Sequence, residues 1–414
     1  MFKRKQILSV FVVGLKRTLG LFDVTVASVG IILGAGIYAL IGLAAQSSGN
    51  ATWLSFLITA IIAIFTGLSY AELSSMFKGD AGEYDYLHAA FNKPFAFVMA
   101  FSMICAGFIS AATVSLGFAG YISNLLPIPV LTGAVLLVIV MTFINFIGIQ
   151  ESNKFNMIST FIEFIGLAII VVLGIPKLGS VNYLAMPHGF SGVFSSAALV
   201  FFAYMGFESI IKLREETKNP SVTIPKALVY SILITSVLYV LVAMSAVSIV
   251  DWQVIAASEA PLATVAQAVL GSNAFTLLAI IALFSTSNTV LITLVTTSRM
   301  IYGMAKEKTL PAFLAEVHPT RKTPHLAILV LMFLTLAFVL IGDIGLVANL
   351  TNFFLFATFA SVNLSLIVLR YKCKQTKRSF RCPGNIGQFS IIAFLGFLSS
   401  LFMLLYVVKN LLGF

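Results

Sequence analysis

Apolar residues in this chain come in long blocks, parted by short polar joints. The blocks fall at about 24–46, 51–76, 94–126, 129–149, 155–176, 191–211, 226–250, 263–298, 325–342, 345–369 and 387–411. Each is near or above the roughly 20 residues that an α-helix needs to cross a hydrocarbon layer. The pattern predicts eleven membrane-crossing helices. The third and eighth are long enough to cross at a tilt. Only Gly342–Asp343 separates the ninth from the tenth.

Charge sets the direction. With the N-terminus in the cytoplasm, every lysine and arginine of the 25 except Lys177 and Lys409 falls in a cytoplasmic segment, as the positive-inside rule requires. One missed span would scramble that pattern, so it supports the helix count. The formal net charge of +10 is then topology and calls for no nucleic-acid partner. The opening MFKRKQILSVFVVGLKR is basic, with a short apolar run and no small-residue cleavage site after it. It is expected to lie in the membrane interface.

Composition excludes most other classes. At 59% hydrophobic and 10% charged, the chain is too apolar for a soluble globular protein. The longest polar segments, 212–225, 299–325 and 370–386, are loops, which leaves one transmembrane domain over 1–414. The three cysteines show no disulfide framework, and the four histidines match no metal spacing. Phosphate-binding loop, dinucleotide fingerprint and nucleophile elbow are all missing. Neither an enzyme nor a bound cofactor is expected, and nothing in the pattern sets an oligomeric state.

Glycine breaks two of the blocks. The first carries GIILGAGIYALIG, with glycines at 30, 34, 36 and 42, each costing a helix interior about 1 kcal/mol. The break is expected at Gly34-Ala35-Gly36. The sixth, GVFSSAALVFFAYMGFESIIKL, has Gly206 followed by Glu208. The two lie five helices apart. An odd offset places equivalent helices in opposite orientations, the geometry of an inverted repeat whose discontinuous helices meet at the midplane. The repeats would span about 20–177 and 190–370, with an extra helix at about 387–412.

Four stretches carry a resemblance: SVGIILGAGIYALIG (28–42), GLSYAELSSMFKGDAGEYDYLHAAF (67–91), FFAYMGFESIIKLREETKNPSVTIPKAL (201–228) and SRMIYGMAKEKTLPAFLAEVHPTRKTPHLAI (298–328). With the helix order, the chain resembles the amino acid–polyamine–organocation (APC) permeases over almost its whole length. It is most similar to their prokaryotic amino acid permeases and the cationic amino acid transporter branch. The resemblance implies the LeuT-like transporter fold, a five-plus-five inverted repeat, all-α and polytopic, with helices one and six discontinuous. Members have twelve helices; eleven here would leave the C-terminus extracellular.

A broken helix can hold an amino acid without a charged side chain, since free amides bind its carboxylate and free carbonyls its ammonium. By resemblance the carboxylate meets the amides around Gly34, Ala35 and Gly36. The ammonium meets carbonyls of Ile32, Phe202 and Met205, and the Phe202 ring caps the site as a gate. Many relatives carry Ser or Thr where this chain has Ala35. A small-residue packing face is the other reading of Gly30 and Gly34, and core or lipid packing is the other reading of Phe202. Cys105 to Ser110, Glu208 and Thr293 are candidates for the side-chain pocket.

Glu163, in STFIEFIGLAIIVVLG, lies eight residues into the fifth block, about 12 Å from its cytoplasmic end. By resemblance, many family members have a lysine there, whose amine occupies the sodium position of sodium-coupled relatives. Its partners would be the backbone at Gly30 and the eighth-helix residues Ser285, Ser287 and Asn288. Burial disfavours a charged carboxyl, so Glu163 is a candidate proton carrier. Ionised, with oxygens from Gly30 and the serines, it would instead form a sodium site. A structural glutamate is the third reading. Glu208 is read as a sensor of a cationic side chain, a second proton site, or a carboxylate bonded across the break. Asp23 is read as a helix cap. Glu72, Glu83, Glu215 and Glu216, near cytoplasmic ends, are read as solvated loop charge, with gate pairs to Arg299 or Lys218 as the alternative.

The expected protein is a secondary amino acid transporter of the plasma membrane, working by alternating access as a proton symporter without ATP. Its partners are an amino acid and the lipid bilayer, and its coupling ion a proton or sodium. Exchange and sodium symport stay open, as does an amino acid sensor on the same fold.

Overall fold

The computed structural model describes residues 19–77, 82–376 and 378–413. The N-terminal segment expected in the membrane interface, Lys78 and Lys377 lie outside the described residues, as do the side chains of Lys154, Lys212, Arg214, Glu215 and Glu216.

All eleven apolar blocks are helical. In chain order the helices are α1 (Leu21–Ile32), α2 (Gly36–Ser48), α3 (Thr52–Met76), α4 (Glu83–Ala90), α5 (Lys93–Leu125), α6 (Val130–Ile147), α7 (Ile149–Gly174), α8 (Gly189–Val200), α9 (Pro220–Ile249), α10 (Trp252–Ala257), α11 (Pro261–Leu270), α12 (Ser272–Lys306), α13 (His325–Val339), α14 (Ile344–Lys372) and α15 (Ile391–Leu412). A two-residue antiparallel ladder, β1 (Asn385–Ile386) with β2 (Phe389–Ser390), precedes α15.

Nine helical stretches among the described residues are long and apolar enough to cross a membrane. The protein is a polytopic all-α membrane protein. Two local features separate this nine from the expected eleven. The helix after the first break runs through one 3₁₀ turn into α3, so Gly36–Met76 forms one continuous stretch. At 15 residues, α13 falls short of a full span.

The eighth block needs a correction. Gly271, with φ 82°, divides it: α11 ends there and α12 starts at Ser272 and runs to Lys306. Only the short polar stretch Gly271-Ser272-Asn273 interrupts the apolar residues here, too brief to divide the block by hydropathy alone. The fifth block also starts earlier than expected. With α7 beginning at Ile149, Glu163 lies fourteen residues in, about 21 Å along the helix.

Asp23 caps α1 as expected: its Oδ2 accepts from the Gly20 amide at 2.8 Å, where a carboxylate also suits the helix dipole. Outward faces carry bare apolar side chains such as Phe143, Phe161, Val237, Phe333 and Leu405, the composition a lipid-facing surface requires. Inside, one buried cluster gathers α1, α2, α3 and α9, and a second gathers α5, α6, α12 and α13. Ala35 and Phe202 belong to the second. The breaks in the first and sixth blocks lie where the two clusters meet.

Candidate functional site

The first break is a change of direction over three residues. The chain leaves α1 at Leu33, where ψ turns to 80°. The Leu33 amide still bonds back to Val29 O (2.7 Å), and the Gly34 amide folds onto Ile32 O (2.7 Å). The next amide, Ala35, leaves the segment altogether and donates to Thr289 Oγ1 of α12 at 3.0 Å.

The second break follows α8. One 3₁₀ turn, Phe201–Tyr204, leads to an extended Met205 (ψ 141°), then to Gly206 at φ 114° and a second 3₁₀ segment, Phe207–Glu216. Glycine takes this positive φ without steric cost. It is also the only residue that fits, since a Cβ there would sit 2.8 Å from Ile31 O. A Cβ on Gly36 would sit 2.4 Å from Ala203 Cα. The two breaks therefore touch backbone to backbone.

Tyr239 of α9 joins them. Its buried hydroxyl lies 3.0 Å from Ile32 O and 3.1 Å from Ala203 O. A hydroxyl has one proton, so it donates to one carbonyl at a time. Ile32 O, expected to meet the ammonium, is thus held by a tyrosine, while Phe202 O accepts from the Met205 amide at 3.2 Å.

A cavity of ≈ 340 Å³ opens beside the breaks. Ile32, Gly34, Gly36, Phe202, Met205 and Glu208 line it; Ala35 sits behind, beneath Thr289. Thr293 lines it from α12, and Ala106 and Gly107 from the α5 stretch proposed for the side-chain pocket. At its charged end stand Glu83 and Arg299, with Tyr70 donating to Glu83 Oε1 at 3.1 Å. Glu208 Oε2 accepts from the Gly206 amide at 2.9 Å, so this carboxylate holds the sixth-block break.

Glu163 is fully buried. Ser285 donates to its Oε1 at 2.7 Å, and its Oε2 meets no donor among the described residues. Its backbone carbonyl accepts from Tyr38 at 3.1 Å. Gly30 packs on the preceding turn of α7, where a Cβ would lie 2.5 Å from Thr160 Cγ2. Asn288 turns away, donating to Asn156 Oδ1 at 2.9 Å. Ser287 is buried on α12. Of the expected partners, Ser285 is the one that reaches the carboxyl among the described hydrogen bonds.

Comparison with known proteins settles the family. The amino acid permease family model matches residues 19–410. The chain belongs to the amino acid permease family, within the APC superfamily. This permease is 31% identical over 394 residues to the branched-chain amino acid permease BcaP of Bacillus subtilis (strain 168), covering 89% of this chain and 84% of that one. It is 27% identical to the methylthioribose transporter of the same organism, over 89% and 84% of the two chains. It is 28% identical to cationic amino acid transporter 1 of Arabidopsis thaliana, over 86% and 63%.

One reading of this permease's carboxylates is overturned. Glu72 is not solvated loop charge; it is fully buried near the end of α3. Arg370 of α14 grips it twofold, Nε to Oε1 at 2.9 Å and Nη2 to Oε2 at 2.5 Å. Arg378 Nε stands 3.3 Å from Oε1, and the Cys382 amide donates to Oε2 at 2.7 Å. Arg370 also donates to Asn385 Oδ1. The segment between α14 and α15 is thereby tied to α3. Burial, with Glu72 adding to it, pushes the Cys382 thiol well above the usual range, which keeps this loop cysteine unreactive.

Two residues of the site escaped the sequence. Tyr239 is one of two tyrosines in a thirty-residue apolar helix, with nothing local to mark it. Thr289 carried a signal: it stands four residues after Ser285, on the same face of α12.

Proposed function

We propose that this permease is a secondary active amino acid transporter, working by alternating access on a five-plus-five inverted repeat. Substrate would bind in the cavity where the two broken segments meet. Backbone at 34–36 would take its carboxylate, and Ile32, Phe202 and Met205 its ammonium side, with Phe202 as gate. The N-terminus would face the cytoplasm of the plasma membrane. The observation that carries this reading is the close approach of the two broken stretches, Gly206 to Ile31 and Gly36 to Ala203, beside a ≈ 340 Å³ cavity lined by residues of both. The relatives' names support amino acids as substrates.

We infer further that transport is coupled to protons through Glu163. A buried carboxylate with no cation beside it is costly, and a proton removes the charge. Glu163 has one hydroxyl donor, and no salt bridge to it occurs among the described residues. Ser285 links it to α12, the helix that also meets the first break. The test is uptake of radiolabelled L-leucine and L-arginine into proteoliposomes of the purified protein. Uptake of at least one, without ATP, is expected. Binding without uptake would favour a sensor and contradict transport.

A further inference from the structure

We propose that Thr289 is a substrate-binding and specificity-determining residue, whose hydroxyl accepts from the Ala35 amide and turns its proton to the substrate carboxylate when the amino acid binds. The inference rests on the reading of 34–36 as the carboxylate site. Three observations carry it. Thr289 lines the cavity, whereas Ala35 does not, so the hydroxyl stands between the ligand space and the amide. The hydroxyl has both roles filled: it accepts from the Ala35 amide at 3.0 Å and donates to Ser285 O at 3.1 Å. And the first break approaches Thr289 closely at Gly34, where a Cβ would lie 3.2 Å from Oγ1.

The donor to Ser285 O is the expendable one. That carbonyl also has the ordinary helix bond from four residues on, so losing the threonine proton leaves it satisfied. A carboxylate is a stronger acceptor than a helix carbonyl that already has a donor. On loading, the Thr289 proton turns from Ser285 O to one carboxylate oxygen. The Ala35 amide keeps its bond to Oγ1 and acts on the anion through that hydroxyl, and no charged side chain is used. Position 35 is alanine and has no hydroxyl of its own, so α12 supplies it from across the break. The same swap removes the second donor from Ser285 O, the carbonyl of the residue whose own hydroxyl serves Glu163.

The experiment compares Thr289→Val, which keeps the shape and removes the hydroxyl, with Thr289→Ser, which keeps the hydroxyl. The probes are L-leucine and L-arginine, whichever the parent takes up, in proteoliposomes. The decarboxylated amine of the same probe serves as competitor. Thr289→Val is expected to raise KM about tenfold with maximal rate little changed, the scale of one hydrogen bond to a charged group. Thr289→Ser should stay within about twofold of the parent by the same reckoning. The amine should compete equally well against parent and Thr289→Val. Equal KM in Thr289→Val and parent overturns the inference, as does an equal loss in Val and Ser variants or a matching loss of amine competition. Absence of uptake by the parent would defeat the transport reading itself, and this inference with it.

Discussion

Glu72 and Glu163 are both fully buried carboxyls on membrane helices, and their surroundings are opposite. Glu72 has two arginines and a backbone amide around it. Glu163 has one serine hydroxyl on one oxygen and no donor on the other among the described residues. A fully partnered buried charge is a tie between segments: here it fixes the α14–α15 connection onto α3. A carboxyl with too few partners has a reason to exist in two protonation states. Burial alone therefore says nothing about role; the donor count does.

The sharpest way to break the comparison is to remove each carboxylate's charge. Glu72→Gln leaves Arg370 buried without its counter-ion, which should cost about 3–5 kcal/mol and show as a large fall in the thermal midpoint of the detergent-solubilised protein. Glu163→Gln should leave that midpoint within about 1 kcal/mol of the parent, since an amide still accepts from Ser285. Comparable losses in the two variants would erase the distinction.

The second largest effect is expected at the breaks that position the site. Gly206→Ala forces a positive φ on alanine and a clash with Ile31 O. It should cost about 1–3 kcal/mol and abolish most uptake. A smaller change, Tyr239→Phe, removes the donor shared by Ile32 O and Ala203 O. It should cost about 1 kcal/mol of stability, read in the same melts, and alter KM for the transported amino acid through the loosened break. An unchanged KM would show that Tyr239 does not shape the site.

The sequence was most legible where glycine and hydropathy coincide. Gly34-Ala35-Gly36 and Gly206 mark both departures from helix, and the apolar blocks mark the helices, because both are local properties of the chain. Long-range partners were not legible. Arg370 is 298 residues from Glu72, and Tyr239 is 207 from Ile32, so no window along the sequence brings either pair together. Glu72 looked like loop charge because its neighbours in sequence sit at a helix end, whereas its burial comes from a segment far along the chain. The turn at Gly271 escaped for a different reason: apolar residues continue on both sides of it. Ser285 was found, and Thr289 missed, although both belong to one face of α12; only the fold shows that the face spans from Glu163 to the first break.

The central claim, that Glu163 couples transport to protons, is tested most directly by uptake of a radiolabelled amino acid into proteoliposomes with an imposed pH gradient, acid outside. The account predicts that the parent accumulates substrate above equilibrium only with the gradient, and that Glu163→Gln equilibrates or exchanges substrate yet ignores it. Accumulation by Glu163→Gln equal to the parent's, or a parent indifferent to the gradient, would contradict it.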